Sequence, residues 1–456
     1  MRNEQQSIRK ASFVPRKLRA ILTSLTLILI VALALRVAFA WNYVGRHSQQ
    51  ALSVIPFMFE SSNIAVSLAQ GHGFASPFRV PTGPTAWMTP VYPWLLSRVF
   101  RIFGTYTFYS YLAATALNIL FTTLACIPIF FAGKRIAGTG LGAGAAWLWA
   151  VFPNAILLTF ESMWDACLSA LLAAIILWAT LALAESSRPR DWVGYGLLWG
   201  LALMTNPTLA SLLPFLLVWL AYRARQERHS WLALPTIALG VALLCCVPWT
   251  VRNYSVFHRF VPLRSVLGLQ LWLGNNPQAK PPWLGDLHPI NDSSERENYI
   301  EMGEMDYMRV KQREAIRYIE THPRRELWLF GQRFVSIWSG GTPTPLRDFE
   351  RNDSGWFRYV LLFNILAAIG ALLGIVLLAF RRSIYSFPLA AFPVFFPCAY
   401  YATLALPRYT LPMDPAVLLL ATIALAGVFR RWEFPNRSGT QQGANRIGNA
   451  SGDALP

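Results

Sequence analysis

The chain has 456 residues, 54% of them hydrophobic, with 18 Trp and a mean hydropathy of +0.37. These values exclude an ordinary soluble domain. The formal net charge of +17 sits mainly in short segments between apolar runs, so it argues for membrane topology and against a nucleic-acid partner.

Apolar runs long enough to cross a hydrocarbon core of roughly 30 Å recur along the sequence. Ten spans are expected, at about 21–40, 107–131, 138–154, 156–184, 192–205, 207–222, 231–249, 357–380, 383–402 and 409–429. The expected fold class is therefore an all-α polytopic membrane protein with amphipathic helices in its outer loops. It divides into a basic N-tail at 1–20 and an N-terminal transmembrane module at 21–249, which contains a first outer loop at 41–106. An outer segment follows at 250–356, then C-terminal transmembrane helices at 357–429. The tail at 430–456 is rich in Gly, Ser, Asn and Gln, the composition of disorder.

Basic residues before the first span and Ala38-Phe39-Ala40 behind it mimic a cleavable signal. Its apolar core is longer than a signal needs, and Arg36 lies where small neutral residues belong, so an uncleaved anchor is expected. With the N-terminus inside, the cytoplasmic segments 1–20, 132–137, 185–191, 223–230, 381–382 and 430–456 hold 19 Lys and Arg against 6 Asp and Glu. Segment 250–356 carries 14 basic and 13 acidic residues, as suits a translocated stretch exempt from the positive-inside rule. Both termini are thus expected in the cytoplasm, with the two long segments outside.

In the first outer loop, Ser61-Ser62-Asn63 precede an apolar pattern that predicts a helix near 58–70, stopped by Gly71 and Gly73. Pro90 and Pro93 mark a break. A second amphipathic helix is expected at about 94–103, with Arg98 and Arg101 on its polar side. Trp87, Tyr92 and Trp94 either line a lipid groove or anchor the interface. Between Phe57 and Gly104 the sole carboxylate is Glu60. It is either a general base working on a lipid-linked substrate or a solvated loop acid.

In the fourth span Glu161 and Asp165 are four residues apart, which predicts one shared helix face. Intramembrane carboxylates are costly and point to function. Glu161 is near enough to the outer end to be hydrated, so Asp165 is the candidate. The five cysteines, Cys126, Cys167, Cys245, Cys246 and Cys398, lie within or beside apolar spans. The outer loops therefore have no disulfide framework, and no Cys/His cluster has zinc spacing.

In the outer segment, helices are expected over Glu295–Glu320 and Arg324–Trp338. Glu304-Met305-Asp306 comes nearest to a metal-nucleotide DXD signature but reads as a solvated helix face. No Rossmann or P-loop glycine pattern occurs. Arg252, behind Pro248-Trp249, and Arg408-Tyr409, before the last span, fall on the same outer face as Glu60. Two guanidiniums there either grip a phosphate bidentately or snorkel to headgroups. Asn275 and Asn276 either bind sugar or acceptor or make a Gly-Asn-Asn turn.

Four patterns in order give the chain a family resemblance. They are Glu60…Ala65…Leu68-Ala69…Gly71-His72-Gly73-Phe74 with Pro84-Thr85-Ala86…Pro90-Val91-Tyr92-Pro93; Pro153…Glu161…Asp165; Pro248-Trp249…Arg252-Asn253-Tyr254 leading to Gly274-Asn275-Asn276-Pro277; and Arg408-Tyr409…Leu411-Pro412…Pro415. The chain resembles GT-C superfamily membrane glycosyltransferases of the bacterial group near the protein O-mannosyltransferases, aminoarabinose transferases and RgtA/B/C/D-like enzymes. The resemblance implies a GT-C-like bundle in a bacterial inner membrane, with its active site outside the cytoplasm. It implies a polyprenyl-phosphate sugar donor, no nucleotide, and a lipid, glycan or protein acceptor.

Such enzymes place a catalytic Asp in the first loop, where this chain has Glu60. Asp165 matches their acidic position in the fourth span, and Arg408 matches a basic residue near the lipid phosphate. On this reading Glu60 is the base of an inverting transfer, with Asp165 as its catalytic partner. Arg252, Arg408, Tyr409, His72, Asn275 and Asn276 bind substrate. No cofactor is required, although Glu60 and His72 are placed to hold a divalent metal. The alternatives are a non-catalytic binding protein for lipid-linked sugar and a transporter; the latter lacks the paired halves such folds show.

Overall fold

The computed structural model describes residues 20–281, 287–342, 344–345, 347–348 and 355–428. All but Ala20 of the expected N-tail, and the whole of the tail at 430–456, lie outside the described residues. Among the described residues the protein is helical throughout, with one isolated bridge, Ala75 to Pro84.

Each of the ten expected spans holds helix. Helix α1 covers Leu25–Arg46. The first outer loop contributes α2 (Gln49–Val54), α3 (Glu60–Ala69) and α4 (Val91–Phe103). Then come α5 (Phe108–Leu124), α6 (Cys126–Ala137), α7 (Thr139–Ala150), the short α8 (Pro153–Leu157), α9 (Ala166–Leu183), α10 (Pro189–Thr205), α11 (Leu213–Gln226) and α12 (Ala233–Phe257). The outer segment folds as α13 (Leu267–Gly274), α14 (Ser293–Met302), α15 (Glu304–Thr321) and α16 (Pro323–Trp338). The last spans are α17 (Gly355–Phe380), α18 (Ser386–Phe395) with α19 (Cys398–Ala402), and α20 (Asp414–Val428).

Five of these segments are individually long and apolar enough to cross a membrane: Leu25–Arg46, Phe108–Ala137, Ala166–Leu183, Ala233–Phe257 and Gly355–Phe380. The other expected spans are shorter or bent. Glycines set the closest helix contacts, since lipid supplies no hydrophobic drive between helices and small residues let backbones approach. A Cβ on Gly142 of α7 would lie 2.3 Å from the Phe130 carbonyl oxygen of α6, and one on Gly374 of α17 would lie 2.2 Å from the Leu420 carbonyl oxygen of α20.

Arg36 is fully buried within α1. Its guanidinium donates to the carbonyls of Ala32, Trp149 and Ala150 at 2.9, 3.3 and 3.1 Å and to Thr122 Oγ1 at 2.9 Å. It thus caps the C-terminal end of α7, where carbonyls lack helical partners and the dipole favours a cation.

Three local expectations need correction. The fourth span does not run unbroken from 156 to 184. Residues 158–165 are non-helical and α9 begins at Ala166, so Glu161 and Asp165 do not share a helix face. Two bonds to the first loop hold the chain open: Met163 N–H donates to Pro56 O at 3.0 Å, and Ser61 Oγ donates to Met163 O at 2.9 Å. Ser61 and Asn63 therefore spend their polar atoms on tertiary contacts, and Phe59 is the residue that caps α3. The seventh span does not stop at 249: α12 continues through Pro248 to Phe257, a break that neighbouring helices tolerate in membranes. Finally, Glu304 is not on a solvated face. It is 5% exposed, whereas Asp306 is exposed and pairs with Arg259 at 3.0 Å.

Candidate active site

The sharp bend between α2 and α3, about 100°, places Glu60 in the first turn of α3. A carboxylate is favoured there by the unpaired N–H groups of the helix start. The side chain is 6% exposed. Its partner is His288, on the turn before α14, with Nε2 3.1 Å from Glu60 Oε1. The Ile290 N–H donates to His288 Nδ1 at 3.1 Å. That nitrogen is thus an acceptor, which assigns the proton to Nε2 and makes His288 the donor to Glu60. Trp87 and Phe78 hold the imidazole by edge contacts at 5.7 and 6.5 Å.

Burial pushes the Glu60 carboxyl up. The hydrogen bond from His288, the local backbone N–H and the Arg408 guanidinium outweigh it and hold the group below its ordinary range.

Glu60 and His288 form one wall of a cavity of about 280 Å³, near the lower end of ordinary ligand sites. Arg264 and Arg408 line the same cavity, with Trp87, Trp164 and Tyr409. A second lobe of about 30 Å³ shares Trp164, Arg264, Arg408 and Tyr409 with it and adds Asp165. Asp165 Oδ2 accepts from Ser169 Oγ at 3.1 Å.

Arg408 stands on the 3-10 turn Pro407–Tyr409. Its guanidinium lies 4.5 Å from the Trp164 ring centre, 5.0 Å from Phe59 and 5.4 Å from Tyr409. Its Nε is buried with no hydrogen-bond partner among the described residues. Aromatic rings fix the cation without occupying its donors. Arg264 has Nη2 3.2 Å from Thr208 Oγ1, and the rest of its fork borders both lobes.

Four of the expected site residues, Glu60, Asp165, Arg408 and Tyr409, meet around these lobes. Arg252 does not line them. It donates to the carbonyls of Thr85 and Phe74, each at 2.7 Å, and lies over Trp249 at 5.1 Å, stapling the first loop to α12. Asn275 is fully buried, donates to the Leu271 and Ala402 carbonyls, and accepts from Arg333 Nη2 at 2.7 Å. Asn276 accepts from Gln278 N–H at 2.8 Å, as a turn residue does. His72 is in a separate groove of about 800 Å³ with Asn63, Ser67, Gln70, Arg79 and Tyr106, so Glu60 and His72 make no metal pair.

Sequence reasoning missed Arg264 and His288. Both lie in the outer segment, far from Glu60 in sequence and without a motif around them. The one available cue was that each is followed or preceded by proline-marked turns, at Pro262 and Pro289.

Residues 85–251 match the family model of dolichyl-phosphate-mannose-protein mannosyltransferases. No curated protein matches the chain. The apo crystal structure of the oligosaccharyltransferase of Archaeoglobus fulgidus superposes with a TM-score of 0.53 at 14% identity, covering 95% of this chain and 52% of that one. The chain shares the fold of the half of that protein on which it superposes. The same archaeal protein in complex with zinc and sulfate gives a TM-score of 0.50 at 14% identity, over 89% of this chain and 49% of that one. The apo structure of ArnT from Cupriavidus metallidurans is 16% identical over 81% of this chain and 73% of that one, with a TM-score of 0.34. The chain therefore spans about half the length of the archaeal structures it matches.

Glu60 and His288 already satisfy each other, and two guanidiniums share their walls. Among the described residues no three His, Cys, Asp or Glu side chains come together, whereas hard cations call for several oxygen ligands.

Proposed function

We propose that this GT-C chain is an integral membrane glycosyltransferase that moves a sugar from a polyprenyl-phosphate donor to a hydroxyl acceptor outside the cytoplasm. The observation that carries the reading is the composition of one cavity: a buried carboxylate kept ionised and two guanidiniums line it together, and the buried Nε of Arg408 has no partner among the described residues. The mannosyltransferase family match over 85–251 supports a lipid-phosphate donor, because that description names one.

The phosphate of the donor sits against Arg264 and Arg408, which offer forked donors to its oxygens. The acceptor hydroxyl sits against Glu60. Glu60 takes the hydroxyl proton as the oxygen attacks the anomeric carbon. The carbon–oxygen bond to the phosphate breaks, and its electron pair leaves with the polyprenyl phosphate. The guanidiniums take up the charge that develops there, so the leaving group needs no protonation. A single in-line displacement inverts the anomeric configuration. Asp165 borders the second lobe beside both guanidiniums and orients them. His288 fixes the direction of the Glu60 carboxylate.

The deciding experiment follows a radiolabelled polyprenyl-phosphate sugar in membranes containing the chain. Catalytic turnover into an envelope acceptor is expected, and it separates an enzyme from a protein that only binds lipid-linked sugar. Glu60→Gln should slow turnover by about 10²-fold or more while the protein still inserts and folds. Wild-type rates in that variant would end the assignment.

A further inference from the structure

Among the described residues the best-connected buried carboxylate lies outside the cavity. Glu304 opens α15 and is 5% exposed. Oε1 accepts from Ala86 N–H at 2.7 Å and from Ser265 Oγ at 2.6 Å. Oε2 accepts from Tyr299 Oη at 2.6 Å and from Thr85 Oγ1. Ser265 N–H also donates to Ala86 O at 2.9 Å. Three segments distant in sequence thus close on one side chain: the first outer loop at 85–86, the stretch before α13 at 265, and the end of α14 at 299.

Each of these segments carries a wall of the cavity. Ser265 is bonded directly to Arg264. Ala86 precedes Trp87 and Met88, which line the cavity. Tyr299 packs on Trp87 and Phe78, at 6.1 and 5.1 Å, the same two rings that hold His288. Four donors on one carboxylate, out of water, make a rigid hub, because each bond is charge-assisted and none competes with solvent.

We propose that Glu304 is a positioning residue of the transfer site, acting through Arg264 on the phosphate wall and through the Tyr299–Trp87–His288 stack on the Glu60 wall. The proposal rests on the phosphate-gripping reading of Arg264 and Arg408. It assigns a function to a carboxylate that touches no substrate.

The test measures binding of undecaprenyl phosphate to the purified full-length chain in detergent, by quenching of its tryptophan fluorescence, for Glu304→Ala, Arg264→Ala, the double variant and Arg408→Ala. Glu304→Ala should weaken binding about tenfold alone and less than about twofold in the Arg264→Ala background, since two residues acting through one contact are non-additive. Glu304→Gln, whose amide oxygen keeps the bonds to Ala86 and Ser265, should recover most of the affinity. If Glu304→Ala does not fold, Ser265→Ala removes a single donor and should weaken binding in the same background-dependent way.

Unchanged binding in Glu304→Ala, or an equal loss in both backgrounds, overturns the positioning role. So does an Arg264→Ala variant that binds as tightly as wild type while Arg408→Ala does not. If Arg408→Ala and Arg264→Ala both bind normally, the phosphate reading itself falls and takes the positioning role with it.

Discussion

At the scale of single residues, the Glu60–His288 pair yields a signed pH prediction. His288 and Arg408 hold the buried carboxyl down against its own burial. Removing His288 leaves burial less opposed, so Glu60 protonates at higher pH. A base must be ionised, so the acidic limb of transfer activity should move to higher pH in His288→Ala than in wild type. The stability linkage has the same sign. A carboxylate with a depressed pKa contributes stability above its unfolded pKa, and that contribution is lost as pH falls through the folded value. An unmoved acidic limb would show that another group is the base. Loss of the base itself, in Glu60→Gln, should cost about 10²–10⁴ in rate, read as initial velocity at saturating donor.

The two arginines singled out from the sequence make opposite predictions. Arg408 has a buried, unpartnered Nε and rings on its faces, whereas both ends of the Arg252 fork are spent on backbone carbonyls. Arg408→Ala should weaken undecaprenyl phosphate binding roughly 10- to 100-fold, the scale of one or two charge-assisted hydrogen bonds. Its unfolding temperature should stay near wild type. Arg252→Ala should leave the Thr85 carbonyl unpaired and the Phe74 carbonyl with only the Thr85 N–H, lowering the unfolding temperature with a smaller effect on binding. Both are arginines at outer span ends, and sequence position does not distinguish them. Only the local supply of acceptors does.

At the scale of elements, the helices were legible because membrane burial writes itself into apolar run length, and lipid tolerates little else. The amphipathic pieces at Glu60–Ala69 and Pro323–Trp338 were legible from their apolar periodicity. The unwound stretch at 158–165 was not. Its sequence is apolar enough to be helix, and what opens it is a pair of bonds to Pro56 and Ser61, distant in sequence. Arg36 belongs to the same class, since in the sequence it only argues against cleavage of the first span, and its structural role shows once the carbonyls of Trp149 and Ala150 are seen around it. Arg36→Leu should leave the Ala150 carbonyl without its donor, at roughly 1–3 kcal/mol if water does not rescue it, while the Trp149 carbonyl keeps the Phe152 N–H and Thr122 Oγ1 keeps the Asn118 carbonyl. Thermal unfolding in detergent should show the loss. Because α7 ends where the chain turns toward Asp165, activity should fall as well.

At the scale of the whole molecule, the catalytic reading depends on which side of the membrane the cavity faces. The loop joining α9 to α10, with Arg188 and Arg190, and the end of α11, with Arg223 and Arg225, are rich in arginine. The α13–α16 region is close to charge balance, and from that asymmetry we propose that the cavity faces outward. The prediction can be checked in a cysteine-free background, which five replacements provide. His72→Cys, on the exposed rim of the first loop, should react with a membrane-impermeant maleimide in intact spheroplasts. Ser187→Cys, exposed between α9 and α10, should react only after lysis. The reverse pattern would turn Glu60, His288, Arg264 and Arg408 toward the cytoplasm. A polyprenyl-phosphate sugar presented on the outer leaflet could not then reach them, however well the cavity is built.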